Sequence, residues 1–148
     1  VSSKWENLLE IVTGAQLDVA LTNIKTDISL PSNLQLYSDP IIRKVFTTLF
    51  ENSSRHGGKN LSNIRIFLQD VGMDTLIVYE DDGIGIPEQE KALIFNHGYG
   101  RHTGIGLFLV HEILSILGLS IRECGIEGNG VRFEIFVPSG SYRYQNSI

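Results

Sequence analysis

The chain has 148 residues, 42% hydrophobic and 20% charged, with a net charge of −5; that is enough for one domain with its own core and the wrong sign for nucleic acid as the main partner. A single cysteine, Cys124, excludes an intrachain disulfide and a cysteine-based zinc site. The longest apolar run, Ile105 to Val110 with only Gly106 inside, is too short to cross a bilayer, and no basic start followed by an apolar block opens the sequence, so no signal peptide is expected.

Trp5 to Ala15 reads as a helix, with Trp5, Leu8, Leu9, Ile11 and Val12 as its apolar stripe. Ala20 to Leu30 alternates loosely and reads as one or two strands, with Ile24, Ile28 and Leu30 facing a core. Pro31-Ser32-Asn33 is a turn, and Leu34 to Tyr37 is another short strand. Asp39 is a good N-cap and Pro40 suits a first helical position, so a second helix opens there and runs to about His56. Its residues Ile41, Ile42, Val45, Phe46, Leu49 and Phe50 fall at the spacing of one buried stripe, Asn52, Arg55 and His56 come in its last turn, and Gly57-Gly58 ends it.

Ile64 to Val71 and Thr75 to Glu80 form a hairpin around Gly72. Glu88 to Phe95 reads as a short helix, Asn96 to Thr103 as a glycine-bearing loop, and Gly104 to Leu117 as a strongly apolar helix. Leu119 to Arg122 and Val131 to Val137 are closing strands joined by Gly125 to Gly130, and the polar tail 138–148 is expected to fray. The order predicts one domain, 1–148: an α/β (α+β) two-layer sandwich with one mixed sheet covered on one face by three helices.

The chemistry gathers at Asp81-Asp82-Gly83-Ile84-Gly85-Ile86-Pro87. Asp81 ends a strand, and Gly83 and Gly85 let the backbone turn and leave room for a flat ring. Such a carboxylate suits a purine amine. Taken alone, D-x-G-x-G is more often a plain turn. Other signatures are excluded: no G-x-x-x-x-G-K-[ST] run exists, Leu109 stands where a third Rossmann glycine belongs, and Ser115 breaks the H-E-x-x-H that His111-Glu112 begins. His97, His102 and His111 read as isolated surface histidines.

Four stretches in fixed order carry a resemblance: Glu51-Asn52-Ser53-Ser54-Arg55-His56, Asp81 to Pro87, Thr103-Gly104-Ile105-Gly106-Leu107, and Gly128-Asn129-Gly130-Val131-Arg132-Phe133. They resemble the N box and the three glycine boxes of the catalytic ATP-binding domain of sensor histidine kinases, in the gyrase, Hsp90, histidine kinase and MutL superfamily. Ile94-Phe95 resembles its F box, and the likeness runs from Trp5 to Pro138.

The resemblance implies the Bergerat ATP-binding fold, with ATP and Mg²⁺ as ligands. Asp81 would accept from the adenine amine, with Gly83, Gly85 and Ile86 binding nucleotide beside it. Asn52 would be the Mg²⁺ ligand, Glu51 would help an incoming phosphoacceptor imidazole, and Arg55 and His56 would approach phosphate and nucleotide. Gly104, Ile105, Gly106 and Leu107 would meet phosphate at a helix start. Residues Glu88 to Thr103 would form the ATP lid, anchored by Phe95. Three positions depart from the pattern: Thr48 where Asn is frequent, Val131 where Thr is frequent, and no earlier glycine beside Thr103. Hydrolytic relatives and anti-sigma-factor kinases carry Glu at the position of Thr48, which cannot serve as their base.

The expected activity is therefore that of a protein-histidine kinase catalytic domain. It would transfer the γ-phosphoryl group to a histidine on a separate dimerisation domain, absent from this sequence, with a response regulator downstream. The domain would be cytoplasmic, a monomer as isolated, and without nucleic-acid or membrane contacts of its own. A standalone nucleotide-binding switch and an anti-sigma-type serine kinase stay open as alternatives.

Overall fold

A computed structural model of the chain describes residues 3–99 and 106–146. Its strands are β1 (Lys4–Asn7), β2 (Lys25–Ser29), β3 (Leu34–Ser38), β4 (Asn63–Val71), β5 (Asp74–Asp81), β6 (Ser120–Glu123), β7 (Arg132–Val137) and β8 (Tyr142–Tyr144), and its α-helices are α1 (Leu8–Leu17), α2 (Arg43–His56) and α3 (Gly106–Ile116). Five strands form a mixed sheet in the order β2-β4-β5-β7-β6. β2 runs parallel to β4, and the other neighbours are antiparallel.

Alternation along the strands gives this sheet two unlike faces. Ile66, Tyr79 and Phe133 stand in one cross-strand row, and Leu68, Ile77 and Ile135 in the next. They share one core with Leu8 and Val12 of α1, Val45, Phe46, Leu49 and Phe50 of α2, and Val110, Ile113 and Leu114 of α3. Each large side chain fully buried there contributes about 1.5–3 kcal/mol, so the three helices are held to this face. On the opposite face Arg65, Glu80 and Arg132 form a row. Glu80 bridges Arg65 at 3.2 Å and Arg132 at 2.7 Å, and Glu134 bridges Arg132 at 2.8 Å and Arg122 at 2.6 Å.

The α/β sandwich with helices on one face is as expected, but three local expectations change. Trp5 is not helical: it lies in β1 opposite Tyr37, with the two rings edge to face at 5.3 Å. Asn7 is the reason the helix starts later, because its side-chain oxygen accepts from Glu10 N at 2.9 Å and caps α1. The tail does not simply fray, since β8 adds to β3 and makes a second sheet, β1-β3-β8. Tyr142 donates from its hydroxyl to Met73 O at 2.8 Å, and the Arg143 guanidinium lies 4.2 Å over the Trp5 ring. Finally, the helix expected at Glu88 to Phe95 is a single 3₁₀ turn, Glu88–Glu90, followed by further turns.

Candidate functional site

The second helix begins as its sequence demands. Asp39 Oδ1 accepts from Ile41 N at 2.9 Å, Pro40 follows, and a 3₁₀ turn, Pro40–Ile42, feeds α2. The buried stripe of α2 continues past Leu49 and Phe50 into Ser53, a polar residue only 3% exposed. Thr48 is buried on a different flank, and the Cβ direction of Gly106 meets its Cγ2 at 3.4 Å. The first residue of α3 therefore rests on Thr48. Asn52 is one turn further along that flank of α2. It is half-buried, as are Glu51 and Leu107, while Arg55 and His56 are exposed. Gly104 and Ile105 lie outside the described residues.

Three backbone segments meet at the end of β5. A Cβ on Gly83 would sit 2.4 Å from Gly57 O, at the end of α2, and Ile84 N donates to that same oxygen at 3.0 Å. Gly85 has φ +75°, and its Cβ would meet Gly130 O at 3.0 Å and Ile126 O at 3.1 Å. Gly130 has φ +105°, and a Cβ there would fall 1.8 Å from Asp81 O. These contacts give Gly83 and Gly85 a packing reason of their own. Their bare side-chain positions let the turn close against α2 and against the 125–130 loop. Ile86 is half-buried and packs on the core.

The two adjacent aspartates then divide their tasks. A carboxylate offers about four acceptor positions. Asp82 fills four, from Ser62 N, Ser62 Oγ, Asn63 N and Asn63 Nδ2, at 2.7–3.0 Å. Burial pushes its acidity constant up, but these donors, led by the Ser62 hydroxyl, hold it well below the usual carboxylate range. Asp82 is thereby consumed in fixing the start of β4. Asp81, only 8% exposed, fills three: Oδ1 accepts from Gly83 N at 3.0 Å and Val131 N at 3.1 Å, and Oδ2 from Ser53 Oγ at 2.7 Å. One acceptor position remains, on Oδ2. Behind Ser53 stands Tyr79, whose hydroxyl is 2.6 Å from Ser53 Oγ and 3.0 Å from Leu49 O. Burial, above all, raises the Tyr79 phenol far above its ordinary value, so it stays protonated.

The segment after Pro87 is tied down by contacts that the sequence reading did not find. Lys91 pairs with Glu123 and donates to Gly125 O at 2.9 Å. The Glu123 side chain is fully buried, and its Oε2 also accepts from Gly125 N and Arg132 N, both at 3.0 Å. Tyr99 donates to Glu90, and its phenol is pushed up to about 12 by burial and then by that carboxylate. The Phe95 ring lies 6.3 Å from Phe133 and 6.0 Å from His111 and packs against the core. Nothing in the sequence marks Lys91 or Glu123, which stand 32 residues apart.

A cleft of about 350 Å³ opens at the same strand ends, but on the charged face of the sheet. Arg65, Glu80, Cys124 and Arg132 line it together with Asp81 and Asp82, and Asn52 and Arg55 do not. Among the described residues no three His, Cys, Asp or Glu side chains converge to hold a metal ion, and no helix is long and apolar enough to cross a membrane.

Residues 38–141 match the family described as histidine kinase-, DNA gyrase B- and HSP90-like ATPase, HATPase_c. The chain is 33% identical over 102 residues to the alginate biosynthesis sensor protein KinB of Pseudomonas aeruginosa, covering 66% of this chain and 17% of KinB. Its fold is similar to that of the mycobacterial sensor histidine kinase MprB, with a TM-score of 0.80 at 17% identity over 91% of this chain and 97% of that one. The catalytic domain of histidine kinase ThkA gives a TM-score of 0.78 at 23% identity, covering 94% of this chain and 97% of that one. The chain spans 16–35% of the length of the first five curated relatives it matches.

Proposed function

The chain belongs to the family of histidine kinase-, DNA gyrase B- and HSP90-like ATPases, and on that premise we propose that it is the catalytic part of a longer sensor histidine kinase. It binds ATP with Mg²⁺ and passes the γ-phosphoryl group to a histidine carried on a separate domain. The observation that carries this reading is the buried Asp81 carboxylate, with three acceptor positions filled from inside and one left for a ligand donor. The adenine amine takes that position. Gly83, Gly85 and Ile86 shape the same turn, Gly106 and Leu107 at the start of α3 offer N–H groups to phosphate, and the family resemblance assigns Gly104 and Ile105 to the same phosphate.

The residues present fit Mg²⁺, which is held in nucleotide sites by one or two protein oxygens plus phosphates and water rather than by a cluster of carboxylates. Asn52 supplies the amide oxygen. Bound Mg²⁺ would neutralise charge on the phosphates during transfer. Arg55 and His56, one turn beyond Asn52, are assigned to the nucleotide, and Glu51 to the incoming imidazole. Thr48 in place of a glutamate leaves water without a base, which favours transfer to a protein acceptor over hydrolysis. ATP as donor places the domain in the cytoplasm. ThkA has been solved in complex with the response regulator protein TrrA, and a response regulator is the corresponding onward acceptor here.

Incubation with γ-labelled ATP tests this. The chain alone should release phosphate slowly and carry no label, and label should appear on a cognate helical histidine domain added in trans. Rapid phosphate release, or label on a histidine or serine of the chain itself, would overturn it.

A further inference from the structure

We propose that Glu123 and Lys91 are positioning residues for the nucleotide. Their buried charge pair closes the root of the 125–130 loop and ties the segment after Pro87 to it, so that both flanks of the turn at Asp81 are held together. This rests on the reading that a nucleotide docks at Asp81.

Glu123 stands in one cross-strand row with Ile66, Tyr79 and Phe133. An apolar side chain would fill that position at less cost than a carboxylate with no exposed surface. What an apolar side chain lacks is an acceptor. Glu123 Oε2 takes the N–H of Gly125, where the loop begins, and that of Arg132, just past its end, both at 3.0 Å. Cys124 N donates to Arg132 O at 2.8 Å beside them. One carboxylate oxygen thus closes the root of the loop. The fit there is tight, since a Cβ on Gly125 would fall 2.5 Å from Gly130 O.

Beyond its root the loop has no slack. Gly128 N donates to Ile84 O at 2.7 Å, Asp81 N to Val131 O at 3.2 Å, and Val131 N to Asp81 Oδ1 at 3.1 Å. A shift at Gly125 or Arg132 is therefore passed on to Asp81 and Ile84. Lys91 brings in the other flank. It ends the 3₁₀ turn that follows Pro87, pairs with Glu123 Oε1 and donates to Gly125 O at 2.9 Å. The chain from Ile84 to Lys91 is thereby closed into a ring through Glu123 and the loop. A turn held in this way is set before the nucleotide arrives, so binding does not have to order it.

The test is the Kd for ATP with Mg²⁺, measured by calorimetry on the parent chain, Lys91→Met, and Lys91→Met with Glu123→Gln. Asp18→Asn, which breaks the exposed pair with Arg43, is the control, and thermal melts fix a temperature at which each form is folded. Lys91→Met should raise Kd roughly tenfold, the scale of one hydrogen bond to a charged group. Adding Glu123→Gln should restore the larger part, because the amide oxygen can still accept from Gly125 N and Arg132 N and no unpaired charge stays buried. Asp18→Asn should leave Kd unchanged. A pair that serves stability alone leaves every folded variant at the parent Kd, and that result overturns the proposal, as does a loss that Glu123→Gln does not restore. Should Lys91→Met fail to fold, amide hydrogen exchange on the parent reads the same coupling, which is reciprocal. Saturating ATP should slow exchange at Gly125 and Arg132 roughly tenfold beyond any change at Glu10 and Ile41, whose N–H groups are also held by side-chain oxygens. Equal slowing at all four overturns the proposal. A parent chain that binds no ATP would overturn the nucleotide reading itself. A parent that binds ATP, with an unaltered Kd in Lys91→Met, overturns only the role of the pair.

Discussion

Asp81→Asn separates a ligand contact from a fold contact at one atom. The amide oxygen can take the place of Oδ1 and keep the bonds from Gly83 N and Val131 N. The amide nitrogen then replaces Oδ2 and becomes a donor. Ser53 can adapt by accepting from it and giving its own hydrogen to Tyr79, which turns to Leu49 O. The internal bonds survive in number but lose their charge, so the fold should lose only about 1 kcal/mol. The ligand cannot adapt in this way, because the adenine amine would meet N–H instead of a lone pair. Losing a hydrogen bond to a charged acceptor costs about 1.5–3 kcal/mol, roughly a ten- to hundredfold rise in Kd. Titration with a fluorescent ATP analogue measures it, with a thermal melt on the same samples to confirm folding. Equal affinities for the two forms, at similar melting temperatures, would show that Asp81 is a turn residue and nothing more.

Asn52→Ala should leave metal-free ADP binding almost unchanged while the gain that Mg²⁺ gives to ATP shrinks; an equal gain in mutant and parent would remove Asn52 from the metal. Lys91→Met should leave the Glu123 carboxylate buried without its cation, and denaturant unfolding should show a loss of about 3–5 kcal/mol. Adding Glu123→Gln should recover part of that loss, and no recovery would mean that the two side chains act independently. Asp82 has a folded-state value depressed below 3.8, so the unfolded chain binds the proton more readily and the stabilisation is present above that pH and lost as pH falls. Asp82→Asn should accordingly destabilise at pH 7, and the gap to the parent should close under acid; a gap that does not depend on pH would refute the linkage.

Signals between near neighbours in the chain decided much of this protein. The Asp39-Pro40 start, the stripe from Val45 to Phe50, the Gly57-Gly58 stop and the hairpin at Gly72 are all legible, because caps, turns and helical periodicity act over a few residues. The strand-like run Thr75 to Glu80 also placed Asp81 at a strand end. Trp5 misled for the same reason: a stripe counted from it looks helical, and its strand partner Tyr37 lies far along the chain. β8 was invisible because Gln35 and Arg143 meet across 108 residues. Ser53 and Asp81, 28 residues apart, and Lys91 and Glu123, 32 apart, carry no joint mark in the sequence. The sequence by itself determined where helices and turns begin and which carboxylates are available. The tertiary structure alone decided which aspartate, Asp81 or Asp82, keeps an acceptor position to offer, because that depends on donors brought from other strands and from α2.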